Sequence, residues 1–300
     1  PINNRSHVYQ AHGQRPLHYA ALHSSLAIIE LLLNNRVSVN ALDSKHDTPV
    51  HLATLILRLD VFNKLVKYGA DVTLKNDLAL TPLEALLFTS CLKGSIEGVK
   101  KAIELGVNLK ILYPYKLTAL HLAAAVEYAY DAQMHDVDLV ELVKFYGQKI
   151  AIFELLVNNS LDPKAESAQG ERPVDDLLLN ACVCEQPEWV KKAFEYGANP
   201  DYKGFGVGKL FHYVVFRGNS EIIDLFLHNK VSLNMQNFDG NTPSHIAALC
   251  KNKQLVEVFR NHGADFSIKN NNEKTVDDVL REAQGSGSGF VAPKVLSVLR

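Results

Sequence analysis

Paired carboxylates and closely spaced cysteines are the residues of this sequence that could support chemistry. Asp175-Asp176 and Asp277-Asp278 look like acid pairs for proton transfer. Cys182 and Cys184 could hold a metal, but residues two apart do not share a helix face. No second cysteine or histidine pair completes a zinc spacing. We therefore predict carboxylates that cap or bridge locally, buried or spare thiols, no metal site and no cofactor.

A glycine-rich segment, residues 204–209, resembles a phosphate-binding loop. Lys203 and Leu210 stand where that pattern requires glycine and a hydroxyl residue, so we predict a mobile loop instead. The sequence also lacks a nucleophile-elbow motif and an H-E-x-x-H zinc motif. We predict no catalytic residues and no enzyme activity.

The composition favours a folded cytoplasmic protein. The sequence has 300 residues, with 31 basic and 33 acidic residues and a formal charge of −2, so nucleic acid is an unexpected partner. The four cysteines are too few and too scattered for a disulfide scaffold and fit a reducing compartment. No apolar run is long enough to cross a bilayer, which argues against membrane insertion.

The elements that position these residues are indicated by a recurring motif. It is clearest as Thr48-Pro49-Val50-His51-Leu52-Ala53 and Thr242-Pro243-Ser244-His245-Ile246-Ala247, and its proline position recurs at spacings of 33, 33, 37, 54, 37, 33 and 33 residues. Gly-Ala-Asp at 69–71 and 263–265 recurs in register. This pattern resembles the ankyrin repeat. The resemblance implies an all-α solenoid of stacked helix pairs with hairpin-like finger loops between them.

Physical chemistry agrees with that fold. Threonine can cap a helix, and proline at the first helical position loses no useful hydrogen-bond donor. A second apolar helix follows, as in residues 26–33, and ends at a glycine or asparagine. One pair cannot bury its own apolar face, but stacked pairs share a continuous core. We predict a repeat domain over residues 1–284, with seven repeats and a capping repeat that start near residues 12, 45, 78, 115, 169, 206, 239 and 272.

Three repeats are longer than the rest. The third and fifth have about one additional helical turn each, through residues 86–88 and 177–179. The fourth has an insertion around residues 126–149, whose periodic Val137, Val140 and Val143 predict additional helix. The long helices could simply pack on each other, or they could contact a dedicated partner.

The resemblance also assigns a role to five histidines. His18, His51, His121, His212 and His245 share one repeat position, which in ankyrin repeats is structural and hydrogen-bonds the backbone of the adjacent repeat. Asp175 and Asp277 occupy the same position.

The end of the sequence has a different character. Residues 285–289 alternate glycine and serine, which is typical of an engineered flexible linker. Residues 290–300 follow, with a possible helical apolar face formed by Phe290, Val291, Val295, Leu296 and Leu299. We interpret them as a partner peptide fused to the repeat domain; a natural linker with a native terminal segment is the alternative.

The family resemblance implies a partner surface at the finger tips and the exposed ends of the first helices. Apolar and arginine side chains at those positions are favoured as anchors. The predicted partner-binding residues are Leu55, Ile56, Leu78, Leu80, Phe88, Tyr115, Leu117, Phe205, Phe216, Arg217 and Phe238. Such a surface would hold a short apolar and basic segment of another protein on a monomeric repeat domain.

Three functions are compatible with this surface. The first is a non-catalytic adaptor, and the second is the targeting module of a larger enzyme or effector whose chemistry lies elsewhere. Irregular repeats and Asn270-Asn271-Asn272 resemble ankyrin proteins of intracellular bacteria or large DNA viruses, which would place the protein in a host cytosol. The third is a structural spacer, which would expose no apolar cluster.

Overall fold

Fifteen α-helices form most of the residues that the computed structural model describes, which are 13–125, 139–203 and 210–285. No β-strand occurs in these three ranges, so the expected all-α fold is confirmed. The chain divides into two compact units. Unit 1 contains Pro1–Ala123 and Lys144–Asp162, and unit 2 contains Ala124–Val143 and Pro163–Arg300.

The first eight helices lie within residues 16–158. They are α1 (Pro16–His23), α2 (Leu26–Asn34), α3 (Pro49–Leu55), α4 (Leu59–Lys67), α5 (Pro82–Lys93), α6 (Ile96–Glu104), α7 (Ala119–Ala124) and α8 (Leu139–Asn158). The remaining seven belong to unit 2. They are α9 (Pro173–Val183), α10 (Pro187–Glu195), α11 (Leu210–Arg217), α12 (Ser220–His228), α13 (Pro243–Leu249), α14 (Lys253–Asn261) and α15 (Val276–Gly285).

The threonine-proline dipeptides begin helices, as predicted. Thr48, Thr81 and Thr242 are the N-caps of α3, α5 and α13, and each side chain accepts a hydrogen bond from a backbone N–H in the first turn. Proline follows as the first helical residue. The capping residue therefore sets the start of the first helix in these repeats.

Helices of successive repeats pack on one another. In unit 1, α1, α3 and α5 pack in sequence, and α2 packs on α4. In unit 2, α11 packs on α13 and α13 on α15. The rings of Phe211 and Phe226 stack with centroids 5.2 Å apart, and Phe259 lies 5.9 Å from Phe211. Each fully buried phenylalanine contributes about 1.5–3 kcal/mol of hydrophobic free energy.

The predicted longer helices are present. α5 has 12 residues and α9 has 11, whereas α1 has 8 and α3 has 7. The insertion of the fourth repeat is helical from Leu139 onward in the 20-residue α8, and residues 126–138 lie outside the described residues. The additional residues in the third and fifth repeats therefore lengthen the first helix of the pair.

The finger loops are tight turns closed by one repeated hydrogen bond. In the six fingers whose turns are described, a backbone N–H donates to the carbonyl four residues later, as from Asn76 to Leu80 at 3.0 Å and from Tyr113 to Leu117 at 2.9 Å. Neighbouring fingers are joined as well, since the N–H of Asp77 donates to the carbonyl of Lys45 at 3.0 Å. The fingers are therefore hairpin-like and are held at a fixed register.

Two further expectations concern the membrane and the end of the chain. Within the described ranges, no helix is both long and apolar enough to cross a bilayer. α15 continues through Gly285, the first residue that we assigned to the linker. The rest of that linker and the peptide at 290–300 lie outside the described residues.

Candidate functional site

The shared histidine position has the structural role that the resemblance implied. In four repeats, the ring Nε2 bonds a backbone carbonyl 29 residues later in the chain. The pairs are His18 with Asp47 at 2.9 Å, His51 with Leu80 at 3.1 Å, His212 with Asn241 at 2.9 Å, and His245 with Lys274 at 3.1 Å. Each contact ties the start of a first helix to the next finger.

The second ring nitrogen is used as well. Nδ1 of His51 accepts a hydrogen bond from the backbone N–H of Thr48 at 3.1 Å, and Nδ1 of His245 accepts one from Thr242 at 3.2 Å. Nε2 must therefore carry the proton and donate it to the carbonyl. Burial lowers the pKa of both His51 and His245, so these rings are neutral and have no nitrogen left for a metal.

Asp175 and Asp176 act as local bridges, as predicted. The carboxylate of Asp175 accepts two bonds from the Arg172 guanidinium at 2.7 and 2.8 Å, and one from the backbone N–H of Asn199 at 2.8 Å. Asp176 accepts a bond from the Tyr202 hydroxyl at 3.0 Å. Burial raises the pKa of Asp176 to about 7, and the negative charge on its acidic neighbours adds to that rise. The two aspartates therefore hold the segment that follows α10.

Asp277 and Asp278 also serve the fold. Asp277 pairs with Arg260 at 2.8 Å. Asp278 accepts bonds from the backbone N–H of Thr275 at 3.1 Å and from its hydroxyl at 2.6 Å, and these bonds lower its pKa. Asp278 therefore caps the start of α15, whereas Asp277 forms an ion pair.

An open polar cavity adjoins the first aspartate pair. Its volume is about 600 Å³, and its walls include Glu166, Glu171, Arg172, Asp175 and Tyr202. Arg172 and Asp175 are paired with each other there. The charges on the cavity walls are therefore partly neutralised by this ion pair.

The cysteines are not poised for reaction. Cys91, Cys182 and Cys184 are buried, Cys250 is half-buried, and all four are free thiols. Burial raises the pKa of Cys91 and Cys184 to about 12 and also raises that of Cys182. In the described part of the chain, no three histidine, cysteine or acidic side chains are grouped to hold a metal ion.

The finger tips carry the most exposed large apolar side chains of the described residues. Leu78 is 76% exposed, Phe238 75% and Tyr115 69%. Leu78 and Tyr115 occupy unit 1, and Phe238 occupies unit 2. All three were selected from the sequence because the family resemblance assigns partner contacts to the finger tips.

Residues at the first-helix ends are also accessible. Leu55 and Ile56 are exposed where α3 ends. Arg217 is exposed where α11 ends, and its guanidinium pairs with Glu185 and lies 6.0 Å from the centroid of the Tyr213 ring. Leu55 and Ile56 could contact apolar groups of a partner, and Arg217 could bind an acidic or aromatic group.

The remaining predicted site residues contribute to packing. Leu80, Phe88, Leu117 and Phe216 are half-buried. The Phe88 ring packs 4.8 Å from the ring of Tyr113, whose hydroxyl donates to the carbonyl of Glu84 at 3.0 Å. Phe205 lies outside the described residues, as do all five predicted apolar residues of the terminal peptide.

Two exposed leucines near the fingers were not selected from the sequence. Leu42 and Leu112 are exposed, and each directly precedes the first residue of its turn. They occupy the same position in their repeats, because one spacing of 33 residues and one of 37 separate them. That shared position could have identified them from the sequence. Together with Leu78 and Tyr115 they give the fingers of unit 1 an apolar character.

Comparisons with known proteins agree with this architecture. The family model "Ankyrin repeats (3 copies)" matches residues 2–76 and 177–270, more than half of the chain. The E3 ubiquitin-protein ligase KEG of Arabidopsis thaliana is 25% identical over 289 residues, which cover 93% of this chain and 17% of that protein. A putative ankyrin repeat protein of Acanthamoeba polyphaga mimivirus is 25% identical over 138 residues, which cover 45% of this chain and 13% of the relative.

The fold is also similar to a solved structure. The crystal structure of the human ASB11 ankyrin repeat domain matches with a TM-score of 0.50 and 21% identity, over 92% of this chain and 100% of that domain. The chain spans less than a fifth of the length of the two curated relatives described above.

Proposed function

Because this chain belongs to the ankyrin-repeat family, whose members generally bind other proteins, we propose that it is a non-catalytic module that captures a segment of a partner protein on its fingers. The observation that supports this proposal is the exposure of Leu78, Tyr115 and Phe238 at the finger tips. Burying such a side chain in a partner contributes about 1.5–3 kcal/mol. Large aromatic residues are also favoured as binding anchors.

We propose that the captured segment is apolar and also carries basic residues. Residues 290–300 have this composition, with Val295 and Leu296 beside Lys294 and with Arg300 at the end. We propose that they are a tethered partner peptide. Gly285 belongs to α15, so a flexible tether of the four residues 286–289 would have a root-mean-square span of roughly 11 Å. Such a tether would hold the peptide at about millimolar effective concentration if the span fits.

The proposal can be tested with the chain ending at Gly285 and a fluorescent peptide of residues 290–300. We expect saturable binding by fluorescence anisotropy. Leu78→Ala with Tyr115→Ala should weaken it by at least about tenfold, because anchor residues at the centre of an interface carry most of its energy. Tyr68→Ala is the matched control, since Tyr68 is an exposed aromatic residue at the end of α4, away from the fingers.

The outcomes separate the two parts of the proposal. A peptide that neither binds nor competes with a captured partner would contradict its role as a fused ligand. Unchanged binding of a partner by the double variant, with an unchanged circular dichroism spectrum, would remove the unit 1 fingers from the site.

A second candidate is the targeting module of a larger enzyme or effector. The observation that favours it is the small share of its curated relatives that this chain covers, one of which is named an E3 ubiquitin-protein ligase. The relative from a large DNA virus supports an effector that acts in the host cytosol. In that case this chain alone should bind the partner without modifying it, and the full-length protein should modify the same partner.

A further inference from the structure

The outer helix of the first described repeat exposes an apolar face that its counterparts bury. In α2, Ile28 is 47% exposed and Leu31 is 62% exposed. The position of Ile28 recurs, at the repeat spacing, in each later repeat whose second helix is described. Its buried equivalents are Val61, Gly98, Ile152, Ile222 and Leu255, and Trp189 is half-buried.

Leu32 shows the same difference. It is half-buried in α2, whereas the equivalent residues are fully buried. These are Leu65, Ala102, Leu156, Ala193, Phe226 and Phe259. The other face of α2 is normal, because Ile29 and Leu33 are buried and α2 packs on α4.

The position of α2 in the chain explains which neighbour is missing. Val61 of α4 is buried in a helix that follows α2 and packs on it, whereas no described helix pair precedes α2. Each later second helix packs one face on the repeat that precedes it. The exposed face of α2 is the equivalent face. This geometry is continuous with an interface that the protein already forms between its own repeats.

The last described repeat is different. No large apolar side chain is exposed among residues 243–284, and α15 presents Asp277, Arg281 and Glu282 to solvent. A polar outer face is what a terminal capping repeat needs. The α2 face lacks that property.

We propose that the face formed by Ile28, Leu31 and Leu32 is a stacking surface for a further helix-pair repeat, joined upstream in the natural polypeptide. Its occupant presents an apolar outer helix of the same kind as α2. Ile28 and Leu32 would then be buried as Val61 and Leu65 are in α4.

The test duplicates the first repeat in register. A copy of residues 16–48 replaces residues 1–15, so that Thr48 of the copy precedes Pro16 as it natively precedes Pro49. The copy presents to α2 the face that α2 itself presents to α4. We expect a higher helical signal per chain and at least about tenfold slower amide hydrogen exchange in the original α2, because a covered helix opens less often.

A matched pair of variants assigns the effect to this face. Ile28→Glu in the original repeat should abolish the gain in protection, whereas Ile28→Glu in the upstream copy should leave it intact. The two variants have the same composition and differ only in which copy is changed.

Three results would overturn the proposal. The first is an upstream copy that adds no helical signal, and the second is equal protection of α2 in both Ile28→Glu variants. The third is a dimer of the unextended chain, seen by light scattering, that Ile28→Glu dissociates, because the occupant would then be a second copy of this chain.

Discussion

At the scale of single residues, buried His245 and Asp176 of unit 2 change the stability of the fold in opposite directions as the pH changes. Burial lowers the pKa of His245 from 6.5, so the unfolded chain binds more protons below about pH 6.5 and stability is lost as the pH falls. Burial raises the pKa of Asp176 from 3.8 to about 7, so the folded chain binds more protons in that interval and stability is lost as the pH rises.

Single substitutions should therefore change the pH dependence of unit 2 in opposite directions. We expect His245→Gln to cost about 1 kcal/mol at pH 7.5 through its lost hydrogen bonds and to reduce the loss of stability on acidification. Asp176→Asn still accepts the Tyr202 bond and should make that loss steeper. Urea unfolding followed by circular dichroism between pH 5 and 7.5 measures both effects.

An exposed histidine provides the control. His262→Gln removes an exposed imidazole from the surface after α14 and leaves both buried groups in place. Two variants that shift the dependence in the same direction would contradict the assignment of opposite signs.

At the scale of elements, the second helices end on a residue with left-handed backbone. The φ angle is positive at Gly69, Gly106, Gly197 and Gly263, and also at Arg36, Ser160 and Lys230, where a side chain is present. Residues other than glycine are strained in this region by roughly 1–2 kcal/mol. These seven positions follow the spacing of the repeats, so the same helix end recurs with and without its preferred residue.

Exchanging residues at these ends should change stability predictably. Lys230→Gly should raise the free energy of unfolding by up to about 1 kcal/mol, because it relieves the strain but frees the unfolded chain. Gly263→Ala should lower it by about 1 kcal/mol, since nothing lies within 4 Å of the added methyl group and only the backbone conformation is penalised. Urea denaturation of unit 2 measures both.

Lys230→Ala is the matched control. It removes the charge and keeps the strained conformation, so we expect little change. A Lys230→Gly variant less stable than this control would show that the lysine side chain contributes more than its backbone strain costs.

At the scale of the whole molecule, buried thiols report on the two units separately. Cys91 is in unit 1, and Cys182, Cys184 and Cys250 are in unit 2. Burial raises the pKa of all four thiols and so suppresses the thiolate that reagents attack, but only Cys250 is also partly accessible to a reagent.

We therefore expect one thiol to react with a disulfide reagent in the native protein and three to react only on unfolding. Labelling along a urea series, with mass spectrometry to identify each cysteine, would follow Cys91 for unit 1 and Cys182 for unit 2. Cys250→Ser should abolish the native reaction. Rapid labelling of Cys91 without denaturant would contradict the burial of the unit 1 core.

Part of the candidate site could be predicted from sequence alone. The family resemblance places Leu78, Tyr115 and Phe238 at finger tips, and all three are exposed. Phe88 was selected by the same family reasoning, but its ring packs on Tyr113. Its half-burial depends on a contact between α5 and the next finger, which residue spacing does not reveal.

The sequence by itself determined the helix pairs, because threonine-proline caps, apolar periodicity and the repeat spacing all act locally. It also determined the role of the repeated histidines through the family resemblance. Only the tertiary structure decided which apolar residues are left uncovered, since exposure depends on what packs against a helix from elsewhere in the chain. Ile28 and Val61 illustrate this: they occupy the same position in the repeat, yet only Val61 has a preceding layer that buries it.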